Sequence, residues 1–212
     1  MSIPTTAQVV AQVNGFNRML TWNDFRTVQQ SLAPPMEAST SSSYSADWDI
    51  SVPGVLVPGR EYSLSNVRAK VIFDQKLSWV VEGSQSDDLL KHEQGHLDIT
   101  KIIARDLCRR LMSEEMVVNL NGQKANDYLM AQANGMMARA QALLLALQSN
   151  PVNGMRHDGL YDTMTVHGTD SDAQARWTDV FQHALTTDTS LTLTMVVFEI
   201  VPMTSLGANL FI

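Results

Sequence analysis

The sequence carries a single cysteine, Cys108, among 212 residues. One thiol excludes an internal disulfide and any C-x-x-C metal site, and it removes the usual sequence clue to redox compartment. Positive charge is also scarce. Fifteen Lys and Arg stand against 22 Asp and Glu, for a net charge of −7, and no basic cluster reaches five residues. That balance argues against a nucleic-acid or anionic-membrane surface. No window reaches eighteen apolar residues, so no membrane span is expected. The opening stretch MSIPTTAQVVAQVNGF has neither a basic n-region nor a long apolar h-region and does not read as a secretory signal. A protein that stays in the cytoplasm and one whose leader has been trimmed both remain open. No internal repeat is present beyond the two adjacent V-P-G turns at 52–59.

What is there is globular. Hydrophobic residues make up 44% and charged residues 17%. The length suits one domain, 1–212, with a full core. TWNDFRTV (21–28) reads as a short strand or a helix start, and EASTSSSYSAD (37–47) as an exposed Ser/Thr-rich loop or flap. VRAKVIFD (67–74) alternates as a half-buried strand, and LSWVVE (77–82) is expected to pair with it through a tight turn at Asp74-Gln75-Lys76. Ser86 followed by Asp87 and Asp88 starts a helix. Its apolar positions Leu89, Leu90, Ile99, Ile102, Ile103, Leu107 and Leu111 run on towards NLNG (119–122). A second helix begins near Ala125 with core positions Leu129, Ala133, Met136, Ala140, Leu143 and Leu147, closed by Asn150-Pro151. Ser171-x-x-Gln174 has the form of a capping box for a third helix to about Leu185. SLTLTMVVFEIV (190–201) reads as a C-terminal strand. Strands, then helices, then a strand give an α+β fold: a mainly antiparallel N-terminal sheet packed on the long helix.

Inside that helix lies His92-Glu93-Gln94-Gly95-His96. Residues four apart share a helix face at ~5–6 Å between Cβ atoms, so both imidazoles can reach one metal ion. Glu93, about 100° around the helix, is placed to take a proton from a metal-activated water. With five His and seven Glu in the chain, chance supplies such a motif in roughly a few per thousand chains of this kind. A plain amphipathic helix accounts for Lys91 and Gln94 but not for Gly95, since mid-helix Gly costs ~1 kcal/mol relative to Ala. Gly95 makes sense where another group must approach closely.

A catalytic zinc takes three protein ligands and leaves a position open. Ile99 and Ile102 stand where a metzincin motif would continue, which excludes that class. Glu114, roughly 27 Å along a continuous helix from His96 at ~1.5 Å per residue, is out of reach. His183 lies inside the third helix, and His157 is a loop residue beside Arg156. His167, in YDTMTVHG, is the favoured third ligand: Gly168 permits a sharp turn, and Asp162 and Thr165 are at hand to orient the ring. Asp162 or His157 in its place remains open, as does a loop role for His167. Tyr161 is a candidate oxyanion donor, against a buried core role. Asp98 is either an imidazole partner or an exposed helical acid.

HEQGHLDI (92–99), YDTMTVHG (161–168) and QARW (174–177) together resemble a family of bacterial proteins described as zinc-dependent proteases, often secreted, and classed as a domain of unknown function. LTWNDF (20–25) and KLSWV (76–80) also fit its layout, so the resemblance spans about residues 16–185. It implies a zincin-like metallopeptidase with His92 and His96 as ligands, Glu93 as the catalytic residue, His167 as third ligand, and a secreted or periplasmic location. The segment after Ser190 lies outside it. The expected activity is zinc-dependent hydrolysis of a peptide or protein substrate. Two alternatives stand beside it: a non-catalytic zinc-binding interaction domain, and a zinc hydrolase of a non-peptide amide such as a cell-wall component.

Overall fold

The computed structural model describes residues 4–50, 61–117, 123–152, 155–187 and 189–200. The V-P-G turns and the NLNG segment lie outside them. The chain opens with helix α1 (Thr6–Val10), strand β1 (Val13–Asn14), a 3₁₀ turn (Trp22–Asp24), and strands β2 (Arg26–Val28), β3 (Ala38–Ser39) and β4 (Ser42–Ile50). Strands β5 (Glu61–Phe73) and β6 (Trp79–Val81) lead into the long helix α2 (Asp87–Met112). Then come β7 (Glu115–Val117), α3 (Gln123–Gln148), β8 (Ser149–Val152), β9 (Met155–Asp158), α4 (Leu160–Thr165), α5 (Ser171–Thr186) and α6 (Leu191–Val197). The fold is α+β, with two small mixed sheets and a β8–β9 hairpin. One sheet is ordered β1-β5-β4, with β7 also on β5, and the other β2-β6-β3. Pairing is antiparallel except for β1 with β5 and β2 with β6, which run parallel.

Helix α2 is the axis of the molecule. Ser86 caps it by accepting from Leu89 N at 3.2 Å. Asp87 and Asp88 sit in its first turn and Arg109 and Arg110 in its last, each complementing the helix dipole. Leu97, Ile99, Ile102, Ile103, Leu107 and Leu111 are all fully buried. Ile99 and Ile102 therefore serve the core. The helix stops at Met112, short of the expected run. The six core positions expected on α3 are all buried.

Four expectations are corrected. Segments 67–74 and 77–82 do not pair. Asp74 accepts from Lys76 N (2.9 Å) and Leu77 N (3.2 Å), and its carbonyl accepts from Ser78 N. This tight coil redirects the chain, so β5 pairs with β4 and β6 with β2 and β3. The Ser/Thr-rich segment 37–47 is not a loop but β3 and the start of β4; its inward positions Ser42, Tyr44, Ala46, Trp48 and Ile50 alternate with exposed ones. The cap of α5 is Asp170, which accepts from Asp172 N and Ala173 N, and not Ser171. The C-terminal strand is a helix, α6. Leu191 and Met195, one turn apart, are fully buried, and Leu191 N donates to Asp106 Oδ2 at 2.9 Å. Tertiary packing overrides the β-propensity of its Thr and Val residues.

Candidate metal centre

His92 and His96 occupy successive turns of α2 and are both buried, at 2% and 6% exposure. The short helix α4 brings Asp162 against them. Asp162 Oδ1 lies 3.1 Å from His92 Nε2 and 3.0 Å from His96 Nε2. Donors held ~2.0–2.1 Å from a tetrahedral ion stand about 3.3 Å apart, so both spacings suit neighbouring ligands of one metal. The three side chains are close enough to hold a metal ion.

Burial pushes the Asp162 carboxyl up. The His96 and His92 imidazoles beside it, by charge and by hydrogen bonds, outweigh that and hold it below the usual carboxylate range. Glu93, in the same turn as His92, is 2% exposed, and its Oε2 is buried with no hydrogen-bond partner among the described residues. A buried carboxylate oxygen left unsatisfied is costly, and in a native site it points to a missing water, ion or substrate.

Close approaches hold the assembly together. A Cβ on Gly95 would fall on the Tyr161 hydroxyl, inside van der Waals contact. The group that the mid-helix glycine admits is thus the phenol. Val166, His167 and Gly168 all have left-handed backbone, with φ of 49°, 52° and 83°. This run turns the chain back so that a Cβ on Gly168 would lie 2.8 Å from the Cβ and Cγ of His92. Left-handed backbone at a β-branched residue costs of order 1–3 kcal/mol, and such strain concentrates at functional sites.

The expected site residues separate as follows. His92, Glu93 and His96 lie together. His167 does not join the two histidines directly. Its Nε2 is 3.2 Å from Asp158 Oδ2, and its Nδ1, buried and without a hydrogen-bond partner among the described residues, is 3.9 Å from Asp162 Oδ1. It forms a second, more exposed group with Asp158 and Asp162. Asp162, expected either to orient a ring or to stand in for His167 as a ligand, touches both imidazoles. Tyr161 is not positioned as an oxyanion donor. It is fully buried, it stacks on His92 with centroids 4.8 Å apart, and its hydroxyl bonds the His92 carbonyl and the Gln174 amide. Burial, the largest cause, together with the nearby Glu93, Asp162 and Asp98 carboxylates, pushes this phenol well above its usual value, so it stays protonated. Asp98 bonds Lys101 and Gln94 and not an imidazole. His183 packs near Phe198. The side chain of His157, on β9, is outside those described. Gln174 had been read as a helix-cap residue, yet its Oε1 lies 3.1 Å from His92 Nδ1.

A cleft of about 660 Å³ reaches His96, Asp162 and His167. Residues 39–43, joining β3 to β4, line one side, and Leu144 and Gln148 of α3 another. Gln148 fixes that wall by donating to the His96 carbonyl at 2.5 Å and to Thr100 Oγ1 at 2.9 Å. Among the described residues, no helix is long and apolar enough to cross a membrane. Comparison with protein-family models, curated proteins and solved structures finds no match. The family resemblance therefore rests on the motif residues themselves.

Proposed function

We propose that this protein is a zinc-dependent metallopeptidase with a zincin-like arrangement. The observation that carries the reading is the meeting of His92 Nε2, His96 Nε2 and Asp162 Oδ1 at 3.0–3.1 Å, beside an unpartnered Glu93 carboxylate oxygen and at a cleft. His92 and His96 hold the ion. Asp162 is the third ligand the spacing favours, with His167 Nδ1 the competitor for that position. Held by these residues, a zinc ion would supply Lewis-acid polarisation of a carbonyl and acidification of a water. Glu93 takes the proton from the attacking water and returns it to the leaving amine. The cleft wall at 39–43, next to the short strand β3, offers backbone to an extended peptide.

A second reading keeps the metal and drops the chemistry. His167 Nδ1, 3.9 Å from Asp162 Oδ1, supplies a fourth donor, and a closed four-donor site is structural. Metal content and casein hydrolysis separate the two. The peptidase reading expects about one zinc per chain, lost in His92→Ala, with hydrolysis abolished by Glu93→Gln while zinc is retained. Zinc without hydrolysis in the wild type supports the structural reading, and no zinc sinks both. Metal content of Asp162→Ala and His167→Ala then assigns the third ligand.

A further inference from the structure

We propose that Gln174 is a positioning residue of the metal centre. Its amide oxygen accepts the Nδ1 proton of His92, so that Nε2 is the nitrogen left to bind a metal ion. The proposal rests on the metal-binding part of the reading above.

An imidazole has one bare nitrogen when neutral, and the hydrogen bond made by the other nitrogen decides which. His92 Nε2 lies 3.1 Å from Asp162 Oδ1, a contact that a ring proton can fill in the metal-free chain and that an ion would replace, while Nδ1 faces Gln174 Oε1, also at 3.1 Å. Three donors close a ring around this contact. His92 Nδ1–H donates to Gln174 Oε1, Gln174 Nε2 donates to Tyr161 Oη at 2.8 Å, and Tyr161 Oη donates to the His92 carbonyl at 3.2 Å. The phenol also lies 3.1 Å from Gln174 Oε1, so it can turn its proton to either acceptor. With the amide reversed, its NH₂ would face Nδ1. The ring proton would then move to Nε2 and block the metal.

Thr165 Oγ1, 3.4 Å from Nδ1, is the only other acceptor the structure sets there among the described residues, and it is the more distant one; its own proton goes to the Tyr161 carbonyl at 2.8 Å. Gln174 is itself buried, at 9% exposure, on a helix anchored by Trp177 and Phe181, which both pack edge-on against Tyr161. Its carbonyl is thus aimed at the ligand from the side away from the metal. Partners of this kind orient a histidine ligand and raise its basicity, and their loss typically lowers metal affinity 10–100-fold.

The test compares zinc affinity of the metal-free full chain, by chelator competition, for wild type, Gln174→Leu and Gln174→Glu, with the cobalt-substituted visible spectrum reporting ligand geometry. Leu keeps the volume and removes the acceptor; affinity is expected to fall by about 10–100-fold. Glu keeps an acceptor for Nδ1–H and lets Tyr161 turn its proton to the second oxygen; affinity is expected to stay within about threefold of wild type or to tighten. A merely structural role reverses that order, because a buried carboxylate disturbs packing more than a leucine. A Leu variant that matches wild type, or a Glu variant weaker than Leu, overturns the proposal alone. If the Leu variant does not fold, the Glu variant decides, and a loss above about tenfold overturns it. A wild type that binds no zinc overturns the metal centre and this proposal with it.

Discussion

Glu93 sets burial against chemistry. Its carboxylate is 2% exposed and one oxygen has no hydrogen-bond partner among the described residues. A core residue chosen for stability would not be a carboxylate here, since a buried polar oxygen without a hydrogen bond is costly. Glu93→Gln should therefore act in opposite directions on two measurements. Hydrolysis of casein is expected to fall by about 10²–10⁴-fold, the usual weight of a general base. The midpoint of urea unfolding is expected to hold or rise. A lower midpoint together with full activity would return Glu93 to an ordinary packing role. Asp162 behaves differently, because the imidazoles depress its acidity. A carboxyl with a native pKa below its unfolded value of ~3.9 contributes stability that is present above that value and lost as pH falls towards the native one. The metal-free protein should therefore lose stability below about pH 4, and Asp162→Asn should flatten that acid limb.

At the scale of elements, the site is a contact between one long helix and two short pieces of chain. Gly95 is the seat of that contact. Alanine there gains ~1 kcal/mol of helix propensity but drives a methyl into the Tyr161 hydroxyl, and overpacking of this kind costs ~1–3 kcal/mol. Gly95→Ala is expected to be net destabilising by up to about 2 kcal/mol and to weaken metal binding, because the displaced phenol carries Gln174 with it. An unchanged unfolding midpoint would mean that α4 is not held against α2 as described. Val166 offers the converse. It is 55% exposed at φ 49°, so Val166→Gly should relieve about 1 kcal/mol of strain in thermal unfolding. These two elements also show why the sequence was legible in one place and opaque in the next. Helix α2 carries a Ser86 cap, both α2 and α3 run for 26 residues with a sustained apolar period, and their core positions could be read directly. Helix α4 is six residues long, too short to show a period, so Asp162 was visible only as a neighbour of His167. Gln174 was hidden by a genuine pattern. Ser171-x-x-Gln174 has the form of a capping box, but Asp170, one residue earlier, already satisfies the free amides. The residues after Ser190 alternate like a strand but form a helix, whose Leu191 and Met195 are buried and whose Leu191 N bonds Asp106 Oδ2.

At the scale of the whole molecule, α2 joins core and candidate site in one element. Its first half carries the motif, its second half is buried in the core, and the helix as a whole packs on β1, β3, β4, β5 and α3. Arg105, fully buried, pairs with Asp106 at 2.6 Å and bonds the carbonyls of Ala184 and Thr189, so the end of α5 and the start of α6 are fastened to the same helix. An ion that joins α2 to α4 therefore ties together the pieces that must separate on unfolding. A ligand bound only by the native state adds about 2.7 kcal/mol at a free concentration of 100 Kd. For a chain of this size that is roughly 5–11 °C in Tm. The gain should depend on pH with a definite sign, because histidine ligands must be neutral to bind. It should shrink as pH falls, because protons compete with the ion for the ligand atoms. Differential scanning calorimetry of chelator-treated and zinc-loaded protein between pH 5 and pH 8 reads this directly, with His92→Ala as the chain that should show no zinc-dependent shift. A shift of equal size in His92→Ala would place the ion elsewhere on the surface. A shift in the wild type that ignores pH would mean that the groups binding it are not imidazoles.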